Sequence, residues 1–506
     1  MAMSDKRPNI VLIMSDQHNA LVMGCAGDKI VKTPNLDALA AGGAMFDNAY
    51  CPHPLCVPSR MGFLTGYRPS RIGAVGNGST LDSCQATFAH ALGAGGYEAV
   101  LCGRMHFEGP DQFHGFEKRI FGDCVDSLTK EILGSGRNRT NGQTSFAVEV
   151  AGYGANGFQA FDREVTAKAC EYVQNRRAED RPSCTVVGLM LPHNPLIARK
   201  DLFDYYLARL PVPPEAPEDY LAKLHPAMWA WRQRRGVPGL TPGQNHRAMA
   251  AYYALVTEMD ENVGRIIQAV RTSPTADNTV VIYCSDHGDM AGAQHGMWWK
   301  SCHYEGSARV PLIASWPGRF PAGRRIGANV SLIDLGPTVL DLAGCAPLED
   351  VDGRSLARFM RGSDVPGWPD EIFCEYLGDH GDQPSCMIKR GRWKLSYYSE
   401  FDSCQLFNLA ADPGEMNDLA GAAEHRALAQ DLLATIHKQW SAKEMLLYGN
   451  RQRHNWRLIH TCGHDFLPHA VKHHCAGAEA NQFDFAQLPS GDAIARRMNP
   501  PSADRR

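Results

Sequence analysis

Long hydrophobic runs and an excess of positive charge are both absent from this sequence. Its 506 residues contain 51 Lys and Arg and 55 Asp and Glu, which give a formal net charge of −4. Because nucleic acids and acidic membranes attract basic surfaces, neither is an expected partner. The apolar runs have the length of strands, far short of the ~20 residues that cross a bilayer. Residues 1–14 also lack the apolar length and the small-residue cleavage site of a secretory signal, which favours a cytoplasmic protein.

Cysteine pairs with the spacing of a metal site or a redox centre are absent as well. Sixteen cysteines are scattered along the chain without a CxxC pair, so neither a disulfide framework nor a zinc finger is predicted. Most of them are expected to be buried apolar thiols. At this length the chain has room for two to four domains and a large core.

Three apolar runs rich in β-branched residues predict strands that are buried on both faces of a parallel sheet. They cover residues 9–14, 183–190 and 279–284. A helix is predicted after the first run, where Thr33 and Pro34 form a start signal, and an amphipathic helix across residues 252–267 precedes the third run. This alternation predicts an α/β fold, with a mostly parallel sheet sandwiched by helices.

The pattern changes after about residue 362. Short strand candidates occupy residues 372–376, 387–397 and 405–409, and a helix is predicted near residues 427–440. A smaller C-terminal α+β domain built on an antiparallel sheet is therefore expected. The predicted division of the chain is into residues 1–365, 366–442 and 443–506.

The last segment, residues 443–506, has little periodicity. It is interpreted as a tail that wraps its own domain or contacts a neighbouring subunit, which implies a homo-oligomer. The tail contains irregularly spaced histidines, for which a solvated or intersubunit segment is favoured over a second metal site. They are His454, His460, His464, His469, His473 and His474.

The segment from Cys51 to Gly66 contains the most informative motif. Pro58 suits the first turn of a helix, which would direct unpaired backbone N–H groups and the positive end of the helix dipole toward Cys56, with Arg60 nearby. An anionic ester would be held at such a position. The alternative for this pattern alone is a buried structural cysteine that precedes a proline-initiated helix.

Candidate metal ligands follow two of the predicted strands. Asp16 and Gln17 come directly after the first run, and Asp286 and His287 after the third. The carboxyl ends of strands in an open α/β sheet meet at a ligand crevice. Three oxygens and one nitrogen suit Ca²⁺, Mg²⁺ or Mn²⁺. Either segment taken alone is more typical of a helix cap or a turn.

The motif Cys56-Val57-Pro58-Ser59-Arg60, followed by Leu64-Thr65-Gly66, resembles the signature of the sulfatases, in which an enzyme oxidises the first cysteine to formylglycine. Other blocks are similar to the family in order and spacing: residues 8–13, 32–37, 95–97, 192–195, 285–288, 295–300, 309–313 and 406–415. The resemblance implies an alkaline-phosphatase-like fold and the hydrolysis of sulfate esters. Residues 103–117 are most similar to choline sulfatases and close bacterial relatives, which favours a small alkyl (choline-like) or aryl sulfate as the substrate.

The resemblance also implies a role for each matching residue. Cys56, as formylglycine, would be the nucleophile, and a formylglycine-generating enzyme is then an expected partner during maturation. The implied cation ligands are Asp16, Gln17, Asp286, His287 and the hydrated residue 56, with Ca²⁺ favoured over Mn²⁺ or Mg²⁺. The other implied site residues are Arg60, which holds the hydrate, Asn77 and Arg104, which contact the anion, and His106, His193 and Lys300, which bind sulfate oxygens and move protons.

The implied reaction uses the two hydroxyls of hydrated formylglycine. Asp286 would help to deprotonate one of them, which attacks sulfur while the alcohol leaves with a proton from His193 or Lys300. His106 would then take the proton of the second hydroxyl, so that the carbonyl forms again and sulfate is released. Many sulfatases have a lysine where this chain has Arg104, and an arginine can clamp an anion but cannot donate a proton.

Two alternatives remain open at the level of sequence. Relatives with the same nucleophile and metal site hydrolyse phosphonate monoesters or phosphodiesters, and the sequence does not separate these esters from sulfates. The other alternative is a catalytically silent binding protein that keeps the fold. The joint presence of the cysteine, the arginine of its motif, both aspartates and the histidine argues against a silent protein.

Overall fold

The first strand shows how the sequence sets the fold. In the computed structural model, which describes residues 6–109, 111–123, 142–378 and 383–463, strand β1 (Asn9–Asp16) is buried at every position after Asn9. Val11 and Ile13 enter one hydrophobic core, whereas Leu12 and Met14 enter a second core on the opposite face. A strand covered on both faces needs successive apolar residues, which is why this run does not alternate.

Eight strands form the large sheet. They are β1, β2 (Ala44–Tyr50), β3 (Glu98–Gly103), β4 (Lys118–Phe121), β6 (Ser183–Pro192), β8 (Thr279–Ser285), β9 (Leu312–Ser315) and β10 (Arg324–Ser331), while β5 (Gly152–Tyr153) and β7 (Ile197–Ala198) pair separately. Their spatial order is β10-β2-β9-β8-β1-β6-β3-β4. All neighbours are parallel except β9, which is antiparallel to β2 and β8. The predicted mostly parallel sheet is confirmed.

Helices cover both faces of this sheet, as predicted. The first begins at Pro34 and ends before Gly42, and the amphipathic helix before β8 is the longest. The regular α-helices of the described residues are α1 (Pro34–Ala41), α2 (Cys56–Thr65), α3 (Phe88–Ala94), α4 (Ser145–Glu149), α5 (Gly157–Gln174), α6 (Lys200–Leu207), α7 (Glu218–Lys223), α8 (Pro226–Arg235), α9 (Pro242–Arg271), α10 (Glu305–Ala308), α11 (Leu335–Ala343), α12 (Ala357–Met360), α13 (Arg426–Gln439) and α14 (Ala442–Gly463).

A second, antiparallel sheet forms the smaller C-terminal domain. Its strands lie in chain order: β11 (Glu371–Tyr376), β12 (Ser385–Arg390), β13 (Trp393–Tyr398) and β14 (Ser403–Asn408). The predicted strand over residues 387–397 is in fact two strands, because the chain turns between Arg390 and Trp393, which face each other across the hairpin. Gly391 has a φ of 52°, and glycine adopts this left-handed conformation more easily than other residues.

Helix α14 was not predicted from the sequence. Met445 of this helix is buried in the same core as Leu432 and Ile436 of α13 and the apolar face of the second sheet. Of the tail histidines, His454 is exposed on α14, and the side chains from His460 onward lie outside the described residues. The division at residues 365 and 442 stays a prediction. Among the described helices, none is long and apolar enough to span a bilayer.

Candidate active site

Two parallel strands bring the predicted acidic residues together. Strands β1 and β8 pair in register up to Ser15 and Ser285, so Asp16 and Asp286 follow side by side at the carboxyl edge of the sheet. Both side chains are fully buried. The backbone N–H of Gln17 donates to Asp286 Oδ1 at 3.1 Å. The two aspartates therefore meet at the ends of these strands, as the geometry of a parallel sheet predicts.

Cys56 is the first residue of helix α2, and it is 1% exposed. The preceding Leu55 offers no side chain to cap the helix. Asn77 supplies the missing acceptor, because its Oδ1 lies 3.1 Å from the backbone N–H of Val57. The positive end of the helix dipole therefore lies at residue 56. The anion contact of Asn77 stays a prediction.

Lys300 and His287 enclose the sulfur of Cys56. Lys300 Nζ lies 3.0 Å from Sγ, and His287 Nε2 lies 3.2 Å from it. Asp16 Oδ1 is 3.8 Å away. Burial and Asp16 oppose ionisation of the thiol, but the charges of Lys300 and His287 outweigh them and hold the pKa of Cys56 well below its usual value. This position therefore favours negative charge.

Arg60 and Arg104 fix the orientation of the two carboxylates. Arg104 Nε and Arg60 Nη2 both donate to Asp16 Oδ2, at 2.6 and 3.2 Å. Arg60 Nε also donates to Asp286 Oδ2 at 2.8 Å. As a result, Asp16 Oδ1 faces Cys56. In this structure Arg104 binds a carboxylate, and its role as an anion clamp stays a prediction.

The same cations affect the two carboxylates differently. Burial raises the pKa of Asp16, but the positive charges around it, led by that of Arg104, outweigh burial and hold this pKa well below the usual value. For Asp286, burial prevails over the charge of Arg60, and the pKa is raised. The site therefore keeps one carboxylate firmly ionised, and Asp286 is the better proton acceptor of the pair.

Backbone carbonyls determine which nitrogen carries the proton in two site histidines. His287 Nδ1 lies 3.0 Å from the carbonyl oxygen of Gly288, and His193 Nδ1 lies 2.6 Å from that of Asn194. A carbonyl oxygen only accepts, so Nδ1 is the donor in each ring, and Nε2 is the nitrogen that carries the lone pair whenever the ring is neutral. Burial, reinforced by the charge of Lys300, lowers the pKa of His193 to about 4, so this ring is neutral at neutral pH.

His106 has the opposite tautomer. Arg104 Nη2 lies 2.8 Å from His106 Nδ1, and a guanidinium nitrogen only donates. Nδ1 is therefore the acceptor, and the neutral ring carries its proton on Nε2. The backbone of His106 is held as well, because its N–H donates to Asp123 Oδ2 at 2.6 Å. Its φ of 57° is rare for a residue with a side chain and is stabilised by these contacts.

The residues around the sulfur fit a divalent cation. Donor atoms of Asp16, Cys56, Asp286 and His287 all lie within 4.8 Å of one another. Gln17, the remaining predicted ligand, has a buried carbonyl oxygen Oε1 with no hydrogen-bond partner among the described residues. Buried polar atoms are normally paired, so a buried carbonyl oxygen without a partner suits a cation.

Two strained residues flank Lys300. Trp299 and Ser301 have φ values of 68° and 72°, in the left-handed region. The strain is held by neighbouring contacts, because the Ser301 N–H donates to the Pro54 carbonyl at 3.1 Å and Trp231 Nε1 donates to the Ser301 carbonyl at 3.0 Å. Backbone strain of this kind clusters at functional sites. The backbone conformation of Trp299 and Ser301 places the buried Lys300 ammonium against residue 56.

Sequence reasoning missed three carboxylates that hold the site in place. Asp123 accepts from the backbone N–H groups of Met105 and His106, and no local pattern marks it. Asp162 accepts from the N–H groups at the end of β6, just before the segment with His193. Asp289 accepts from the side chain of Gln17, and only its position three residues after Asp286 could have suggested it.

Comparisons with known proteins show the family of this chain. The sulfatase family model matches residues 8–345, and the C-terminal model of N-sulphoglucosamine sulphohydrolase matches residues 293–442. A choline-sulfatase of Rhizobium meliloti is 34% identical over 435 residues, which cover 83% of each chain. An N-acetylglucosamine-6-O-sulfatase of Bacteroides thetaiotaomicron is 26% identical over 499 residues, with 86% of each chain covered.

A solved structure shares the fold. The crystal structure of a phosphonate monoester hydrolase of Agrobacterium radiobacter superposes with a TM-score of 0.71 at 24% identity, covering 85% of this chain and 95% of that one. At this identity the likeness concerns the fold alone. The family model spans well over half of the chain, and the choline-sulfatase relative matches 83% of it. The chain therefore belongs to the sulfatase family of sulfuric ester hydrolases.

Proposed function

We propose that this chain hydrolyses the sulfate esters of small alkyl or aryl alcohols, with residue 56 in its formylglycine form as the nucleophile. The observation that carries the proposal is the surroundings of Cys56 Sγ. Lys300 Nζ and His287 Nε2 lie 3.0 and 3.2 Å from the sulfur, at the N-terminus of a helix. A monoanionic ester bound at this point would meet positive charge, which stabilises the charge that develops on its oxygens.

Five residues would hold a divalent cation beside the nucleophile. They are Asp16, Asp286 and His287, with Gln17 through Oε1 and the modified residue 56. When bound, the cation neutralises charge on the ester oxygens and acidifies the attacking hydroxyl. The oxygen-rich set favours Ca²⁺, and the imidazole nitrogen is also suited to Mn²⁺.

Hydrated formylglycine supplies two hydroxyls on one carbon, one for attack on sulfur and one for the release of sulfate. A formylglycine-generating enzyme would have to oxidise Cys56 first. Asp286 accepts the proton of the attacking hydroxyl, in keeping with its raised pKa. Arg60 keeps this carboxylate in place through Nε, 2.8 Å from Oδ2.

Lys300 is the better of the two proposed proton donors for the leaving alcohol. In the unmodified protein burial lowers the pKa of Lys300, but the negative charges of Cys56, Asp16 and Asp286 outweigh it and raise that pKa. The two carboxylates remain when residue 56 is formylglycine, and they favour a charged ammonium. His193 is neutral, with its proton on Nδ1 and committed to a carbonyl. We therefore assign the leaving-group proton to Lys300 and a hydrogen-bonding role to His193.

The tautomer of His106 affects the release step. With Nδ1 occupied by Arg104, Nε2 carries a proton and donates toward the group at residue 56. Taking a proton from the second hydroxyl, the role that the resemblance implies, requires Arg104 to release Nδ1. The Nη2 group of Arg104 would then donate to the sulfate oxygens, while its Nε stays on Asp16.

The choline-sulfatase relative supports a small alkyl sulfate as the substrate. The alternative is a phosphonate monoester, because the Agrobacterium enzyme shares the fold. Both esters are tetrahedral monoanions, so the cluster around residue 56 would bind either. The groups that contact the alcohol would decide between them.

Parallel rate measurements on choline sulfate, an aryl sulfate and a phenyl phosphonate ester test the proposal. The protein is produced together with a formylglycine-generating enzyme, and the mass of the peptide that contains residue 56 is measured. We expect formylglycine at this position and kcat/KM values that favour the sulfates. Faster turnover of the phosphonate would overturn the substrate class. A Cys56→Ala variant is the matched control; turnover comparable to the wild type in this variant would exclude residue 56 as the nucleophile.

A further inference from the structure

The side-chain amide of Gln17 is held in one orientation by two acceptors. Its Nε2 donates to Asp289 Oδ2, and Asn194 Oδ1 lies 3.4 Å from the same nitrogen. With the amide turned over, an oxygen would face two oxygens, so the hydrogen bonds assign Nε2 to this side. The carbonyl Oε1 is then on the opposite side of the amide, buried and without a hydrogen-bond partner among the described residues.

Asp289 is itself fixed in its rotamer. Its Oδ1 accepts from the backbone N–H groups of Ala291 and Trp299, at 2.6 and 3.0 Å. The residue is 1% exposed, so water does not compete for Oδ2. Because Oδ1 has two donors, Oδ2 is the oxygen that remains for Gln17. The carboxylate cannot turn without leaving two buried N–H groups unpaired.

The backbone of Gln17 is also held. Its N–H donates to Asp286 Oδ1 at 3.1 Å, and its carbonyl accepts from the hydroxyl of Tyr252 at 2.8 Å. Its φ is 70°, a strained value for a residue with a side chain. With the backbone fixed on both sides, the orientation of the amide depends on what its Nε2 can reach.

We propose that Asp289 is a positioning residue that orients the Gln17 amide so that Oε1, and not Nε2, faces the cation. The inference rests on the cation of the proposed function. A carboxylate at position 289 can only accept, so it forces the amide nitrogen to its own side. An asparagine there would keep its Oδ1 on the two N–H groups and present Nδ2 to Gln17. The amide would then turn over and point a donor at the cation.

The test exchanges the two functional groups of this pair. In D289N the amide turns over, and we expect the Kd for Ca²⁺ or Mn²⁺ to rise about 10–100-fold, the range found when a residue that orients a ligand is removed. In Q17E/D289N the amide and the carboxylate have changed places, so the carboxylate at position 17 accepts from the amide at position 289 and keeps an oxygen toward the cation. We expect this double variant to bind at least several-fold more tightly than D289N. Binding is measured on the full chain by competition with a chelator, independently of turnover.

D334N is the matched control. Asp334 is also a buried carboxylate that accepts from two backbone N–H groups, those of Ser331 and Arg354, but it is not among the cluster residues. We expect D334N to bind the cation like the wild type. Unchanged affinity in D289N, or a double variant no better than D289N, would overturn the inference.

A further pair of variants keeps the test decisive if D289N does not fold. In Q17E alone, the new carboxylate at position 17 faces the carboxylate of Asp289, and the hydrogen bond from Gln17 Nε2 is lost. Adding D289N to Q17E removes a negative charge near the cation, yet we expect it to tighten binding because it restores the donor. Weaker binding in Q17E/D289N than in Q17E would refute the orienting role. If the wild type bound no cation, the proposed function would fail instead, so the two failures are distinguishable.

Discussion

Lys300 Nζ lies 3.0 Å from Cys56 Sγ, although 244 residues separate the two in the sequence. The lysine is 2% exposed and the cysteine 1%. Removing a charge from water is unfavourable unless an opposite charge compensates for it. Around this pair the compensation comes from the carboxylates of Asp16 and Asp286, which raise the pKa of the ammonium together with the thiolate. The contact places a charged ammonium, which carries transferable protons, against the proposed nucleophile.

Replacing Lys300 by alanine should slow the hydrolysis of sulfate esters, and the loss of rate should be larger for an ester whose alcohol is a poorer leaving group. For an alkyl sulfate, whose alkoxide must be protonated as it departs, we expect kcat to fall by about 10²–10⁴-fold, the range for a lost general acid. For a 4-nitrophenyl sulfate, whose phenolate leaves without a proton, the loss should be at least tenfold smaller. The measurement is the ratio of the two kcat values in wild type and variant. An equal loss on both esters would restrict Lys300 to charge stabilisation.

Asn77 has two proposed roles, capping helix α2 and contacting the sulfate ester, and the substitution N77D separates them. N77A removes the acceptor for the Val57 N–H and should lower the free energy of unfolding by about 1 kcal/mol. N77D keeps an acceptor at the helix N-terminus, where a negative charge is favourable, so its stability should match the wild type. The same charge repels a sulfate ester, and KM should rise about tenfold or more. If N77D had the same free energy of unfolding and the same KM as the wild type, Asn77 would cap the helix but not contact the ester.

The positions of the two aspartates among the proposed metal ligands could be predicted because they depend on sheet geometry. Asp16 and Asp286 each follow a run of buried strand residues, and parallel strands end at a common edge. The cysteine motif predicted its helix, since Pro58 lies in the first turn of α2. These features depend on local sequence and on one general rule of topology.

Other features depend on contacts between distant segments. Arg104 follows β3 and Asp16 ends β1, and strand β6 lies between these two strands in the sheet. No local sequence pattern shows that Arg104 donates to Oδ2 of Asp16. The proton positions in His106 and His287 depend on which atom, a guanidinium or a carbonyl, each ring meets. Helix α14 was missed because its polar residues hide the periodicity of the few that pack, such as Met445.

Gly188 of β6 can be used to test whether the backbone position of Arg104 matters for the site. A Cβ at this position would lie 1.7 Å from the carbonyl oxygen of Arg104, which also accepts from Arg60 Nη1 at 3.1 Å. G188A must therefore displace the backbone of Arg104. We expect a loss of about 1–3 kcal/mol in the free energy of unfolding, typical of overpacking, and a lower kcat. The measurements are urea unfolding and turnover.

Gly93 is the matched control for this substitution. A Cβ there meets nothing within 4 Å, and the residue lies in helix α3. G93A should leave turnover unchanged and stabilise the fold by up to about 1 kcal/mol, since alanine is the better helix former. A G188A variant as stable and active as G93A would show that the backbone around Arg104 can move freely.

Glu258 should make stability depend on pH. It is buried on α9, where the backbone N–H of Arg199 donates to Oε1 at 2.8 Å and Gln159 Nε2 donates to both oxygens. Burial raises the pKa of Glu258 from 4.5 to about 7. Because the folded protein holds this proton more tightly than the unfolded chain, its contribution is full below about pH 4.5, declines as the pH rises to about 7, and is constant above that.

E258Q removes this titration. Relative to the wild type, the variant should gain stability between pH 4.5 and 7, by at most about 3.5 kcal/mol, because one pKa unit corresponds to about 1.4 kcal/mol. The measurement is the difference in unfolding free energy between variant and wild type at pH 5 and pH 7.5. E179Q is the control, since the Glu179 side chain is exposed. A difference in unfolding free energy that stays constant with pH in E258Q would mean that Glu258 is already ionised at pH 5, and burial would then not govern its protonation.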